Sequence, residues 1–373
     1  MRYRPTVLLL ALSTVFAGCG GSGNGPSVPQ TPQYEIDSSI PVVEAADASG
    51  NEVAFPSGIS GTGAWYVVST AGYYVNGSYA AYPVGQLNGT NITVVAAGGQ
   101  YVWASFTATG GQQGLGILNL SNNQITQVLG VDSAAVSTDG SSAFVALEDS
   151  TGADTGAFET LTASGQATAS TFNYPTTNGS FVPYARSTSG WTVGEEYAGA
   201  SSSLARRALR FVKSRLGKHL PTRQSSGGPQ PIGTLLISPT GTSTTLQGQS
   251  TWAYSVNDSG IAAGYDGSNA VAWSITGAEQ NLGSGWVDTV LDNGVMVGAS
   301  GSSNDQWAAE WQPDGSVTNL SAITEVLNGE SYVEAVNLQG SGNFLGFGGD
   351  TSNNPCFFSI IPIPDAKAAK KSH

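Results

Sequence analysis

The sequence predicts an all-β chain, a β-propeller of about seven blades, and three observations carry that expectation. Charged residues make up only 10% of the chain while glycine reaches 50 residues, a composition of many short strands joined by tight turns. No second long apolar run follows the N-terminal one, so nothing else in the sequence reads as membrane-spanning. Near the C-terminus the chain also repeats itself, with a period of roughly 35 to 45 residues that signals stacked or radial β units.

The repeat is the strongest of the three. Val256-Asn-Asp-Ser-Gly-Ile-Ala-Ala-Gly264 aligns with Val290-Leu-Asp-Asn-Gly-Val-Met-Val-Gly298. Each copy runs on to a tryptophan (Trp273, Trp311) and then to an Asn-Leu pair (Asn281-Leu282, Asn319-Leu320). A weaker copy runs Val336-Asn-Leu-Gln-Gly340 and Gly342 to Gly346, ending at Phe357-Phe358, and Val136-Ser-Thr-Asp-Gly140 leading to Phe144 has the same flavour. The Asp-x-Gly elements suit hairpin turns, because Asp and Gly tolerate positive φ. Counting units places blades at 53–92, 94–130, 133–173, 180–248, 252–283, 286–321 and 330–361, with six or eight as the alternative counts. The last unit shows three strands, and Ile40-Pro-Val-Val-Glu-Ala45 is the expected fourth, closing the ring from the other terminus and removing open sheet edges. The competing architecture is two β-sandwich domains split near residue 200.

These units resemble the bacterial HAF-type repeat proteins, exported propeller-like chains built on V-N-D-x-G-x-x-x-G…W…N-L. The resemblance covers about residues 250–350. The His-Ala-Phe tripeptide itself is replaced by Ala270-Val-Ala-Trp273 and Ala308-Ala-Glu-Trp311. The resemblance implies a fold and an exported location, and it implies no catalytic residues.

The N-terminus supplies an address. Arg2 and Arg4 precede an apolar stretch from Val7 to Phe16, and Ala17-Gly18 lead into Cys19. That is the layout of an export signal, too short for a spanning helix. Phe16-Ala-Gly-Cys19 resembles the lipobox, with Phe16 where Leu is commoner, and so implies cleavage after residue 18 and lipidation of Cys19 with palmitate-type chains. An ordinary signal peptide with an incidental cysteine is the alternative. Residues 19–38 read as anchor and flexible tether, 39–364 as the propeller, and 365–373 as a basic tail. The absence of Asp after Cys19 favours the outer membrane over the inner one.

Residues 197–231 interrupt the fourth unit. Seven of the 13 Lys and Arg lie between Arg206 and Arg223, within a stretch from Tyr197 to Asn257 that holds no Asp or Glu. Leu204 to Leu220 reads as a helix closed by Pro221. Leu204, Ala208, Val212 and Leu216 share one face, opposite Arg206, Arg207, Arg210, Lys213 and Lys218. Those five cations are the candidate contacts for a membrane surface, an envelope protein or a glycan, or for the acidic body itself.

The remaining chemistry is sparse. A formal net charge of −13 argues against nucleic acid as partner. The only histidines are His219 and His373, which disfavours a Ser-His-Asp triad or a His/Cys metal site; no metal, cofactor or catalytic residue is expected. Asp149 to Asp154 with Glu159, and Asp258 with Asp266, are loose calcium candidates. Glu195 and Glu196, adjacent on a strand, would point to opposite faces and not form a glycosidase pair. Arg186 is the one arginine in the expected blades. Gly110 to Gly116 reads as a loop. Trp65, Trp103, Tyr73, Tyr74, Tyr79 and Tyr82 are core or sugar-stacking aromatics, and Cys356 a small buried hydrophobe. The expected function is a lipid-anchored binding or assembly scaffold at the cell envelope, with an anchored carbohydrate hydrolase or lyase, or a structural surface protein, as alternatives.

Overall fold

A computed structural model of the chain describes residues 33–41, 54–59, 65–69, 72–75, 78–150, 154–170, 179–198, 231–248, 251–301, 306–325, 331–337, 344–349, 352 and 355–363. Nearly all of the regular structure is strand; four sheets are antiparallel sets of four, one has seven strands and one has five. The first set is β2 (Ala54–Ile59), β3 (Trp65–Ser69), β4 (Gly72–Val75) and β5 (Ser78–Ala81). Next come β6 (Gly89–Gly98), β7 (Tyr101–Ala108), β8 (Gln113–Asn119) and β9 (Gln124–Leu129). The third holds β10 (Val131–Val136), β11 (Ser142–Glu148), β12 (Asp154–Thr162) and β13 (Ala167–Ser170), and the fourth β14 (Gly179–Arg186), β15 (Thr192–Ala198), β16 (Pro231–Ile237) and β17 (Ser243–Thr245).

The fifth and sixth sets share a strand. β18 (Trp252–Val256), β19 (Ala262–Tyr265) and β20 (Asn269–Trp273) pair onward to the first half of β21 (Glu279–Val290). The second half of β21 pairs with β22 (Met296–Ser300), followed by β23 (Trp307–Trp311) and β24 (Val317–Asn319). Gly283 and Gly285, at φ 95° and 131°, turn the chain between the two halves. A helical turn, Leu320–Ile323, and the short β25 (Thr324–Glu325) lead to β26 (Ser331–Asn337), β27 (Phe344–Gly349) and β28 (Pro355–Pro362). The fourth strand of this last set is β1 (Tyr34–Pro41), antiparallel to β28. The described residues therefore form six units of four strands and a last sheet completed from the N-terminus, in which the two-residue β25 adds a fifth, parallel strand beside β1.

The closing strand sits earlier than its sequence signal. β1 begins at Tyr34, so residues 34–38, read as tether, belong to the sheet. Only Ile40 and Pro41 of the expected segment are in it, and residues 42–45 lie outside the described residues.

The core consists of seams between consecutive units. Tyr73 and Tyr82 pack with Val102 and Phe106 between the first and second units. Trp103, Ile117, Val145 and Leu161 join the second to the third. Phe144, Phe158 and Phe181 join the third to the fourth, with Phe144 and Phe158 stacked at 5.4 Å. Val193, Leu236, Val256 and Trp273 form the next seam, followed by Ala272, Val287, Met296 and Trp311, and then by Val297, Leu320, Phe358 and Ile360. Second and third strands are buried on both faces, which is why stretches such as Tyr101–Ala108 read as near-continuous apolar runs. The split near residue 200 that the two-sandwich architecture needs is absent, because the Val193–Trp273 seam crosses it.

First strands contact first strands of the next unit (β2 with β6, β10 with β14, β14 with β18, β18 with β21), so they form the inner edge of the array. Fourth strands are half-exposed and form the outer edge. This radial order is a β-propeller. With four antiparallel strands per unit, every unit starts at the same face and every first-to-second turn lies on the opposite one.

The repeat motif now has a physical reading. Its turn closes with Gly260 at φ 77° donating to the Asn257 carbonyl, and with Gly294 at φ 83° donating to that of Leu291. Its second glycine lies opposite a bulge in the first strand: a Cβ on Gly264 would meet the Trp252 carbonyl oxygen at 1.8 Å, and one on Gly298 that of Trp286 at 2.2 Å. Its tryptophan locks the seam: Trp273 Nε1 donates to the Gln247 carbonyl (2.8 Å) and Trp311 Nε1 to that of Leu282 (3.2 Å). The fourth unit carries the same turn and glycine as Arg186-Ser-Thr-Ser-Gly190-Trp-Thr-Val-Gly194, with Gly194 under the Val182 carbonyl. Sequence reading missed this copy because Arg186 and Ser187 replace Val-Asn.

Candidate functional site

Cys19 and the five cations Arg206, Arg207, Arg210, Lys213 and Lys218 lie outside the described residues. The strands flanking the insertion are described: β15 extends to Ala198 and β16 starts at Pro231, with Tyr197 opposite Pro231. Tyr197 and Ala198, assigned to the insertion by sequence, therefore belong to the sheet.

Beside this junction a buried carboxyl, Glu195, and two half-buried phenols, Tyr184 and Tyr197, are tied together by hydrogen bonds. β14 shifts register between Pro183 and Ala185, a bulge at Tyr184 that turns its phenol across the sheet. Tyr184 OH donates to Glu195 Oε2 at 2.5 Å, Tyr197 OH donates to the same oxygen, and the two phenol oxygens are 3.2 Å apart. Glu195 Oε1 is enclosed with no hydrogen-bond partner. Burial pushes the Glu195 carboxyl above its ordinary value, against the pull of the two phenol donors. Burial and the neighbouring Glu195 raise Tyr184 well above the usual phenol range. A carboxyl so placed is suited to holding a proton. The sequence signal was present in Tyr184, Glu195 and Tyr197, but the bulge that unites them is invisible in strand periodicity.

Glu195 shares a face with Val193, toward the fifth unit, whereas Glu196 pairs with Phe181, which packs toward the third. They point apart, as strand alternation expects. The same bulge position in the next two units places Tyr254 and Asp288 on adjacent inner strands.

Arg186, Asp258 and Asp266 have structural roles. Arg186 is buried: its guanidinium donates to the Gly190 carbonyl (3.1 Å) and Thr192 Oγ1 (2.9 Å) and lies 5.9 Å from the centre of the Phe144 ring. Asp258 accepts from the Ser189 amide at 2.6 Å, and its own amide donates to Asp292 at 2.9 Å. Asp266 accepts from the amides of Ser268 and Asn269. Both aspartates thus hold turns. Among the described residues no group of three or more His, Cys, Asp or Glu is placed to hold a metal. Trp103, Tyr82 and Tyr73 are core, Tyr79 is 51% exposed, and the side chains of Trp65 and Tyr74 lie outside the described residues. Cys356 is buried among Val297, Phe358 and Ile360. Gly110–Gly116 is only partly a loop, because Gln113 opens β8.

The first-to-second turns join into a polar rim. Thr138 and Thr188 hydroxyls are 3.3 Å apart, the Ser189 hydroxyl donates to the Asp258 carbonyl at 3.0 Å, and Asn257 Nδ2 donates to the Leu291 carbonyl at 2.7 Å. Four consecutive units, the third to the sixth, are thereby tied turn to turn.

No family model matches the chain, and no curated protein matches it. Solved structures to which it is similar include the putative TolB of Agrobacterium tumefaciens, at 12% identity and TM-score 0.36, over 67% of this chain and 98% of that one. The β-propeller domain of the Trilobed protease from Pyrococcus furiosus aligns at 10% identity and TM-score 0.30, over 74% and 95% of the two chains. The Pyrococcus horikoshii acylaminoacyl peptidase aligns at 10% identity and TM-score 0.40, over 67% of this chain, which spans only 41% of that enzyme's length. The fold assignment rests on the sheets and seams described above. No helix among the described residues is long and apolar enough to cross a membrane.

Proposed function

We propose that this chain is an exported, lipid-anchored, seven-bladed propeller of the HAF-repeat type that serves as a binding or assembly scaffold at the cell envelope, in the outer membrane where two membranes exist. The observation that carries this reading is the turn-to-turn bonding of four consecutive units. It makes a broad, preformed polar face, and binding to a preformed face loses little conformational entropy. The lipobox at Cys19 supplies the anchor, and a formal net charge of −13 over the full chain disfavours nucleic acid. The partner is an envelope protein or a glycan. Crosslinked capture from the native envelope tests the scaffold: the full chain should retain a reproducible partner, and the same chain lacking residues 201–224 reports whether the basic insertion is the docking element. A full chain that captures nothing specific overturns the reading.

One observation favours a second reading, an anchored carbohydrate hydrolase or lyase. Burial holds the Glu195 carboxyl above its ordinary pKa, and the Tyr184 and Tyr197 hydroxyls both donate to one of its oxygens while the other has no partner, a setting in which a carboxyl keeps its proton as a general acid must. Glycan turnover abolished by Glu195→Gln in a folded variant would replace the scaffold with an enzyme.

A further inference from the structure

We infer that the fourth and fifth units are joined by a protonation latch at Glu195. With the carboxyl protonated the joint between β15 and β18 is closed, and loss of that proton opens it from the Glu195 end. The consequence for partner capture rests on the scaffold reading above; the latch itself does not.

The latch follows from where Glu195 points. On β15 it shares the face of Val193, which packs with Ala253 and Val256 of the fifth unit. Directly across the ladder stands Thr234, a residue that bonds across the joint. The Thr234 hydroxyl donates to the Thr251 carbonyl at 2.7 Å and accepts from the Thr251 hydroxyl at 2.8 Å. Glu195 itself is 2% exposed. Because Tyr184 and Tyr197 both donate to Oε2, the carboxyl proton resides on Oε1, the oxygen with no partner.

No neighbouring charge can take that proton's place. Besides Glu195, the titratable residues of β14, β15, β16 and β18 are Tyr184, Arg186, Glu196, Tyr197 and Tyr254. Glu196 lies on the face toward the third unit. Arg186, the only Lys or Arg among the described residues, pairs with Thr192, three residues back along β15 or about 10 Å at the rise of a strand. Its guanidinium is held there by the Gly190 carbonyl and Thr192 Oγ1. A carboxylate at position 195 is therefore enclosed without a counter-charge. Once its proton has gone to bulk water, the charge is stabilised only by water entering between β15 and β18. Burial accordingly raises the carboxyl, against the pull of the two phenols.

The same two units are tied at the turn face by Ser189, whose amide and hydroxyl bond to Asp258. Opening at Glu195 loosens the fourth unit against the fifth beneath the face that the scaffold reading assigns to the partner. Partner capture then weakens as pH rises.

Amide hydrogen exchange of the full chain, corrected for the intrinsic rate at each pH, tests the latch with no partner present. Amides of β15 and β18 are expected to exchange faster by up to about tenfold per pH unit above the ordinary carboxyl value of 4.5, and to level off once the carboxyl has ionised. Amides of β7 and β11, in the seam between the second and third units, should remain the better protected set throughout. Glu195→Gln should abolish the rise. Tyr197→Phe removes a donor to the charged form, so its rise should continue to higher pH before levelling. A rise in Glu195→Gln equal to that of wild type, or equal rates in the two seams, overturns the latch. If Glu195→Gln does not fold, Tyr197→Phe decides alone, and levelling at the wild-type pH overturns it. Partner capture plays no part in this readout, so its failure bears on the scaffold reading only.

Discussion

Trp311 offers the sharpest test of how the units are held together. Its side chain is fully buried in the seam between the fifth and sixth units, among Val287, Met296 and Ala309. Its indole N–H donates across the seam to the Leu282 carbonyl, at 3.2 Å in a buried setting. A tryptophan buries roughly 200 Å², worth about 5 kcal/mol at 25 cal/mol per Å², and large-to-small changes of aromatic core residues cost about 3–5 kcal/mol. Trp311→Ala should therefore destabilise by about 4–5 kcal/mol, a large share of the ~5–15 kcal/mol that holds a typical domain folded. Trp311→Phe retains most of the apolar area but leaves the Leu282 carbonyl without its donor, at a cost of about 1–3 kcal/mol. Ile275→Ala, at a side chain 53% exposed, should fall within about 0.5 kcal/mol of wild type. Urea unfolding followed by circular dichroism gives all three. A Trp311→Ala cost below about 1.5 kcal/mol, or Trp311→Phe matching wild type, would falsify the keystone role of the repeat tryptophan.

Three further predictions concern the bulge glycines, the buried carboxyl and the closing strand. Gly298→Ala forces a Cβ to within 2.2 Å of the Trp286 carbonyl oxygen and should cost about 1–3 kcal/mol, whereas Gly110→Ala, with nothing within 4 Å, should be neutral; equal urea midpoints would count against the bulge reading. Glu195 has a folded-state pKa above its ordinary 4.5, so the folded chain binds more protons than the unfolded one from about pH 4.5 up to the raised value, and stability falls as pH rises through that window. Glu195→Gln should lose that downward slope, and identical pH profiles for the two proteins would show that the carboxyl is not held as described. Removal of residues 34–41 strips seven paired positions from β28 and exposes an apolar edge; the shortened chain should self-associate in light scattering, and a monodisperse, equally stable product would refute closure by β1.

The sequence revealed the architecture wherever a turn, a glycine and an aromatic recur at fixed spacing. Asn257 to Trp273 and Leu291 to Trp311 betrayed two units because bulge, turn and seam each demand a particular residue type. The fourth unit's motif was hidden by Arg186 and Ser187, which satisfy the same backbone geometry with different side chains: Ser187 Oγ accepts from the Trp191 amide at 3.2 Å, as Asn257 Oδ1 does from that of Ile261 at 2.9 Å. The closing strand was anticipated but placed several residues late, since Tyr34–Ser38 lacks the apolar run found at Ile40–Val43 and is fixed by pairing with β28. The Tyr184–Glu195–Tyr197 cluster was unreadable because a one-residue bulge breaks the alternation that assigns side chains to faces. By contrast, the divergence of Glu195 from Glu196 followed from that alternation alone.

Acyl labelling and envelope fractionation of wild type beside Cys19→Ser test the central claim most directly. The account predicts palmitate incorporation and membrane partition for wild type, and loss of both for Cys19→Ser at an unchanged urea midpoint. Label or membrane partition that persists in Cys19→Ser would contradict it.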